Sequence, residues 1–216
     1  MKSFLIIGMG KYGTKLASRL TELGNDVMIV DIDEEKIQML SASSTDAQIG
    51  DCTNEEVLRS LGINNFDVCF VTIGENFQAS LEITSLLKEM GAKKVISKAE
   101  SDIQSKFLLR NGADEVVYPT RDSAHRLAMR TSANHMFDFL QIDNDFSISE
   151  FSIPQNWVGK TIAGVDVRKK HNINILAVKS HGKTTAISSP DYIFKEGDHI
   201  IASGEINTLL KFSSKL

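Results

Sequence analysis

The fold is decided by the stretch Lys2-Ser3-Phe4-Leu5-Ile6-Ile7-Gly8-Met9-Gly10-Lys11-Tyr12-Gly13. Its first half is a short apolar run typical of a buried parallel strand, and its second half has the spacing G-x-G-x-x-G. The helical pattern that follows places Leu16, Leu20 and Leu23 on one face. Gly24 ends that helix, and a second predicted strand leads to Asp31. Strand, glycine loop, helix, strand and acidic residue together form the context of a dinucleotide-binding unit.

Each residue type in this unit has a physical reason. Gly8 permits the tight turn after the strand, Gly10 lets the backbone approach a pyrophosphate, and Gly13 lets the helix pack closely on the sheet. The N–H groups at the start of the helix then face the phosphates. Asp31 is placed to accept hydrogen bonds from both ribose hydroxyls, and its charge disfavours the 2′-phosphate of NADP.

Length and composition limit the class of protein. The 216 residues allow one or two domains, and 42% hydrophobic and 24% charged residues are ordinary for a soluble globular protein. A net charge of −4 gives no electrostatic reason to bind nucleic acid or an anionic membrane. No apolar run approaches the roughly 20 residues of a spanning helix, and the amino terminus begins a strand instead of a signal peptide. Cys52 and Cys69 have no metal or redox spacing, so we expect a reducing cytoplasm.

Strands alternate with helices through the first 120 residues. Beyond the opening unit, strands are predicted at 47–49, 67–73, 94–98 and 115–118, and helices at 34–40, 55–61, 77–90 and 102–110. This alternation predicts an α/β domain with a Rossmann-type, doubly wound parallel sheet.

The pattern changes after Pro119. A helical pattern runs from 122 to about 139, and short strands follow at 146–153, 173–179, 184–188 and 199–203, with helices at 165–171 and 205–212. These lengths predict a small α+β module. We therefore divide the chain into a nucleotide-binding domain (1–120), a linking helix (121–140) and a second domain (141–216).

No catalytic set can be assembled from the sequence. The five histidines show no metal-ligand spacing, and Cys52 has no histidine base nearby in sequence. A small side chain beside a bound adenine is the better interpretation of Cys52. We therefore predict a sensed nucleotide, no enzymatic activity and no metal site. The alternatives are a small NAD-dependent oxidoreductase and an NAD(H)-responsive redox sensor.

Three loops beyond the glycine motif follow predicted strands and should face the nucleotide. They are Asp31-Ile32-Asp33, Gly50-Asp51-Cys52-Thr53 and Thr72-Ile73-Gly74-Glu75-Asn76-Phe77-Gln78. Asp51 can accept from an adenine amino group, and Asn76 and Gln78 can bond phosphate or ribose, although capping or turn roles are the alternative for each. Lys11 can pair with a terminal phosphate or extend into solvent. The basic run 166–171 is either an anion pocket or a solvated face.

Several motifs together resemble the cytoplasmic regulatory subunits of Ktr/Trk-type bacterial potassium transport, which join an RCK (regulator of K⁺ conductance) N-domain to an RCK C-domain. The matching N-domain motifs are Gly8 to Gly13, Asp31-Ile32-Asp33, Gly50 to Thr53, Ile73 to Ser80 and Gly112-Ala113-Asp114. The matching C-domain motifs are Asp166-Val167-Arg168, Asn174 to Ala177, Ser189-Pro190 and Gly197-Asp198.

This resemblance implies a ring of homodimers, commonly octameric, beneath a membrane-embedded potassium channel or transporter subunit, with no nucleic-acid partner. It implies ATP or ADP in the N-domain, with NAD or NADH in some members, and cyclic di-AMP in the C-domain. The protein would be cytoplasmic and peripheral to the membrane through the transporter. Lys11 would hold the ATP γ-phosphate. Thr120 stands where the family often has an acidic residue linked to cation binding, so no metal is predicted there.

The resulting nucleotide-binding set is Gly8, Met9, Gly10, Lys11, Tyr12, Gly13, Asp31, Ile32, Asp51, Cys52, Thr53, Ile73, Gly74, Glu75, Asn76, Gln78 and Lys98. The cyclic di-AMP set that the resemblance implies is Ile162, Asp166, Arg168, Asn174 and Pro190.

Overall fold

The computed structural model describes residues 1–40, 46–133, 135–187 and 189–216, and the chain divides into two compact units. The first unit is Met1–Thr120 and the second is Arg121–Leu216.

The first unit is built on one six-stranded parallel sheet in the order β3-β2-β1-β4-β5-β6. Its strands are β1 (Ser3–Ile7), β2 (Asp26–Asp31), β3 (Asp46–Ile49), β4 (Val68–Val71), β5 (Val95–Lys98) and β6 (Glu115–Val117). Its helices are α1 (Lys11–Glu22), α2 (Glu34–Leu40), α3 (Glu55–Leu61), α4 (Phe77–Glu89) and α5 (Asp102–Arg110), and α6 (Pro119–Ser132) begins at its end. The predicted doubly wound α/β fold is confirmed.

Strand β1 reads as a continuous apolar run because helices cover both faces of the sheet. Leu5 and Ile7 are buried on one face in the same cluster as residues of α3 and α4. Phe4 and Ile6 are buried on the other face in the cluster that includes residues of α1 and α2. The strand order reverses between β1 and β4, so the loops after these two strands diverge and leave a crevice at the carboxyl edge.

The second unit contains a five-stranded antiparallel sheet in the order β10-β9-β11-β8-β7. Its strands are β7 (Met136–Gln141), β8 (Phe146–Ser152), β9 (Asn174–Ser180), β10 (Lys183–Ala186) and β11 (His199–Glu205). Its helices are α7 (Ile162–Val165), α8 (Val167–His171) and α9 (Ile206–Ser213). Aromatic rings dominate its core, where Phe212 lies 5.3 Å from Phe151 and 5.9 Å from Trp157 between ring centroids.

The predicted extension of a helix to about residue 139 is wrong. Helix α6 ends at Ser132, and Met136–Gln141 form strand β7, which pairs with β8. A register shift between Met136 and Asp138 breaks the alternation of period two, so Met136 and Phe139 are both buried at a spacing of three. That spacing is typical of a helix, which explains the error.

Two smaller expectations in this unit also change. The predicted helix over 165–171 is divided into α7 and α8, because Asp166 between them adopts a left-handed conformation with φ 53°. The strand predicted at 184–188 is observed as Lys183–Ala186, and Ser188 lies outside the described residues. Within the described ranges, no helix has the length and hydrophobicity that crossing a bilayer requires.

Candidate functional site

A cleft of about 1210 Å³ follows the carboxyl edge of the parallel sheet. It is lined by residues from the ends of β1, β2, β3, β4 and β5 and from the start of α6. The volume exceeds that of a typical small-molecule pocket, so the cleft can accommodate a nucleotide with several phosphates.

The glycine loop has the geometry that its residue types predict. Gly8 adopts φ +99°, which allows the chain to turn sharply out of β1. A Cβ atom at Gly13 would collide with the carbonyl oxygen of Gly8 and the hydroxyl of Thr72. By contrast, no protein atom lies within 4 Å of the Cβ position at Gly10. The loop is therefore closely packed beneath and open toward the cleft.

Helix α1 begins at Lys11, directly after this loop. No side chain caps its amino end, and its first turn contains no acidic residue. Its N–H groups and the positive end of its dipole thus favour an anion at this place in the cleft. Lys11 and Lys15, one helical turn apart, both line the cleft and are exposed, and neither forms an ion pair within the described residues. This part of the cleft therefore carries positive charge.

The Asp31 carboxylate is held in place by the backbone. Oδ2 accepts a hydrogen bond of 2.5 Å from the N–H of Met9, and Oδ1 accepts one of 2.9 Å from the N–H of Asp33. The Lys36 ammonium lies 3.9 Å from Oδ1. Each carboxylate oxygen has a second lone pair, so Asp31 retains the capacity to accept from ribose hydroxyls.

The loop after β3 presents a second carboxylate, that of Asp51. Oδ1 accepts from the hydroxyl of Thr53 at 2.7 Å and from its N–H at 3.0 Å, and these two bonds lower the pKa of Asp51. Cys52 is buried, and this burial, with smaller contributions from the charges of Asp51 and Asp31, raises the pKa of its thiol to about 12. Asp51 is therefore an ionised acceptor, whereas Cys52 is an unreactive small side chain.

The loop after β4 leads into helix α4. Asn76 caps this helix, because its side-chain oxygen accepts from the N–H of Ala79 at 3.1 Å. Gln78 donates to Glu82 at 2.8 Å. The side-chain oxygen of Asn76 therefore has the capping role that was the alternative to ligand binding. Its NH₂ group can donate a hydrogen bond to a phosphate or ribose oxygen.

The structure brings the predicted nucleotide-binding residues together at one cleft. All of these residues line the cleft except Met9 and Gly13. Met9 contributes the hydrogen bond from its N–H to Asp31, and Gly13 allows the close packing of the loop described above. The sequence analysis missed several polar lining residues, namely Lys15, Lys36, Glu82, Glu100 and Thr120, whereas Thr72 lies in a loop that it expected to face the nucleotide. The position of Lys15, one turn after Lys11 on the same helix face, was a signal that could have identified it.

A second, smaller cavity of about 240 Å³ lies in the second unit, between helices α7 and α8 and strand β9. Four predicted residues line it, namely Ile162, Asp166, Arg168 and Asn174. Pro190 does not, but its carbonyl oxygen accepts from the N–H of Ala163 at 3.0 Å, and Ala163 is a lining residue. Ala163, Val167, Ile173 and Ile175 complete the lining and were not predicted.

Neither site has the arrangement of a metal centre. Across the described parts of the chain, no three His, Cys, Asp or Glu side chains are grouped so that they could hold a metal ion.

Two domain families match this chain. Residues 4–119 match the TrkA-N domain and residues 148–216 match the TrkA-C domain. The chain is 37% identical to Ktr system potassium uptake protein C of Bacillus subtilis (strain 168), covering 100% of this chain and 97% of that protein. It is 33% identical to Ktr system potassium uptake protein A of the same organism, covering 99% and 96% respectively.

Solved structures of RCK proteins have a similar fold. The GsuK channel bound to NAD aligns with a TM-score of 0.72 at 18% identity, over 98% of this chain and 39% of that one. The GsuK RCK domain aligns with a TM-score of 0.69 at 16% identity, over 99% and 47%. At these identities the likeness concerns the fold alone, and this chain spans less than half of either GsuK chain.

Proposed function

The chain belongs to the Ktr/Trk family of potassium uptake regulatory subunits, which combine a TrkA-N and a TrkA-C domain, and from this premise we propose that it is a nucleotide-sensing gating subunit. It is a regulatory protein and not an enzyme. In our proposal, residues 1–120 sense ATP and ADP, helix α6 links the two domains, and the domain that contains the antiparallel sheet binds cyclic di-AMP. The protein acts in the cytoplasm as a ring of homodimers on a membrane-embedded potassium transporter subunit.

The observation that carries the nucleotide proposal is the order of groups along the cleft. Asp51 follows β3, Asp31 ends β2, the glycine loop follows β1, and Lys98 ends β5. Because the strand order is β3-β2-β1-β4-β5, these groups form a row that matches adenine, ribose and phosphates in sequence. Lys11 and Lys15 add positive charge on the phosphate side, which favours a nucleotide with a terminal phosphate over a dinucleotide.

The gating mechanism is differential binding. A ligand shifts a conformational equilibrium only by the difference between its affinities for the two states. ATP and ADP differ by the γ-phosphate, so a contact between that phosphate and Lys11 supplies the required difference. If ATP and ADP produce the same ring dimensions in solution scattering and the same transport activity, this mechanism is wrong.

The small cavity of the second unit supports binding of cyclic di-AMP. Arg168 is exposed and has a guanidinium fork suited to a phosphate, while Ile162, Ile173 and Ile175 offer apolar surface to a base. A volume of about 240 Å³ is too small for a whole cyclic dinucleotide. Cyclic di-AMP has two equivalent halves, so two copies of the cavity related by a two-fold axis would hold one molecule.

Calorimetric titration of the purified chain with ATP, ADP, NADH and cyclic di-AMP tests the proposal, with the mass of the assembly measured alongside. We expect ATP and ADP to bind a large assembly, and cyclic di-AMP to bind separately. Lys11→Met should weaken ATP binding about tenfold or more, because charge-assisted hydrogen bonds contribute about 1.5–3 kcal/mol, and it should weaken ADP binding less. Lys106→Met, which removes an exposed lysine outside the cleft, is the matched control. Binding of NADH alone, to a dimer, would instead favour the redox-sensor alternative.

A further inference from the structure

An ion pair between Lys98 and Glu100 lies on the phosphate side of the cleft. Lys98 Nζ is 2.5 Å from Glu100 Oε1, and both residues line the cleft. The lysine side chain is 15% exposed and the glutamate side chain 39%. The ammonium is therefore the deeper partner, and the carboxylate covers it from the solvent side.

This pair lies directly against the loop that follows β4. A Cβ atom at Gly74 would lie 2.7 Å from Glu100 Oε1 and 2.9 Å from Lys98 Nζ. A larger residue at position 74 would therefore require the ends of these two side chains to shift. Lys98 ends β5, which is two strands from β1, and it lines the same cleft as the glycine loop, where the proposed function places the phosphates.

The other lysines on the phosphate side differ from Lys98. Lys11 and Lys15 form no ion pair within the described residues, so their charge is available to a ligand. Lys98 already has an anionic partner supplied by the chain itself. A carboxylate and a phosphate both present charged oxygen acceptors to an ammonium, and each forms the same kind of strong hydrogen bond. A phosphate that reaches Lys98 must therefore displace Glu100 or share the ammonium with it.

We propose that Glu100 is a specificity-determining residue that competes with the terminal phosphate of a bound nucleotide for Lys98. This inference rests on the proposed ATP/ADP function and concerns the same cleft. Glu100 weakens the binding of ATP, whose triphosphate is longer and more highly charged. It has little effect on the binding of ADP, whose diphosphate ends closer to the glycine loop. It keeps the affinities for ATP and ADP closer together than Lys11 and Lys98 alone would. A sensor of both nucleotides needs this balance, because the ATP-to-ADP ratio at which the bound ligand changes equals the ratio of the two dissociation constants.

The test compares the ATP and ADP dissociation constants of the full chain with those of Glu100→Gln. We expect Glu100→Gln to bind ATP about 3- to 10-fold more tightly and to change ADP affinity less than about twofold, the range expected for removing one partly exposed like charge. Lys98→Met should weaken ATP binding. In a chain that already carries Lys98→Met, Glu100→Gln should change the ATP affinity less, because the effects of substitutions at interacting residues are not additive.

The chain offers a matched control in the pair Lys94–Glu115. Lys94 Nζ lies 2.7 Å from Glu115 Oε2 at the amino ends of β5 and β6, whereas Lys98 lies at the carboxyl end of β5, and neither Lys94 nor Glu115 lines the cleft. Glu115→Gln removes the same charge from a similar ion pair, so it should leave the ratio of ATP to ADP affinity unchanged. Glu100→Ala provides a second variant, and circular dichroism checks that each variant is folded.

The outcomes separate this inference from the proposed function. Suppose that the unmodified chain binds ATP and ADP, and that neither Glu100→Gln nor Glu100→Ala changes the ratio of the two affinities from that of the unmodified chain. The role of Glu100 is then refuted and the proposed function stands. The same conclusion follows if Glu115→Gln shifts the ratio equally. If the unmodified chain binds neither nucleotide, both proposals are refuted.

Discussion

The main-chain N–H of Met9 donates a 2.5 Å hydrogen bond to Oδ2 of Asp31, joining the glycine loop to the end of the neighbouring strand. The two residues are 22 positions apart in sequence. The bond links the group expected to contact the pyrophosphate with the group expected to contact the ribose, and it fixes the distance between them. Asp31 therefore helps to hold the shape of the loop, in addition to its proposed contact with a ligand.

Replacing Asp31 tests this double role. In Asp31→Asn, one of the two backbone N–H groups, that of Met9 or that of Asp33, faces an NH₂ group and loses its acceptor. We expect the free energy of unfolding to fall by about 1–3 kcal/mol, the cost of an unsatisfied buried donor, and nucleotide binding to weaken as well. Denaturant unfolding and calorimetry measure the two effects. Asp33→Asn, whose side chain is 39% exposed, is the control and should change the stability less. Unaltered stability of Asp31→Asn would contradict the structural role.

Two glycines of the same loop should respond differently to alanine. At Gly13 an added Cβ collides with Gly8 and Thr72, so Gly13→Ala should destabilise the fold by about 1–3 kcal/mol through overpacking. At Gly10 the Cβ position is free of protein atoms and φ is −72°, which alanine adopts readily. Gly10→Ala should therefore keep the thermal stability of the unmodified chain and lose nucleotide affinity. Equal melting temperatures for the two variants would contradict this assignment.

Arg168 provides a test of the second cavity. Arg168→Ala should weaken the binding of cyclic di-AMP about tenfold or more, because it removes a charge-assisted contact with phosphate that contributes about 1.5–3 kcal/mol. Lys169→Ala is the matched control, since Lys169 is 85% exposed on the same helix, does not line the cavity and should alter the affinity little. Calorimetric titration measures both. Unchanged affinity in Arg168→Ala would remove our assignment of this cavity.

The two cysteines should be unreactive toward thiol reagents in the folded protein. Burial raises the pKa of both Cys52 and Cys69 to about 12, so almost none of either thiol is ionised near neutral pH. We expect an aromatic disulfide reagent to modify the native chain at least ~100-fold more slowly than an ordinary exposed thiol with a pKa of about 8.5. Both cysteines should react rapidly in denaturant. Fast labelling of Cys52 in the native Cys69→Ala variant would show that the cleft exposes a reactive thiol.

The sequence by itself determined the parallel sheet, the glycine loop and the carboxylates of Asp31 and Asp51 at the ends of their strands. These features are local: apolar runs, turn glycines and residues just after a strand obey short-range sterics and hydrogen bonding, which a single sequence displays. The same reasoning failed at strand β7, where the bulge between Met136 and Asp138 gives buried residues the spacing of a helix.

Only the tertiary structure decided which charges meet across the cleft. Lys98 and Glu100 are two positions apart in sequence, and the loop after β4 brings Gly74 against the pair that they form. Lys36 approaches Asp31 because α2 packs beside the end of β2. The sequence contains the residue types, whereas the distances between side chains of different elements are set by the packing of the whole sheet, because ionic contacts depend on position in space and not on sequence order.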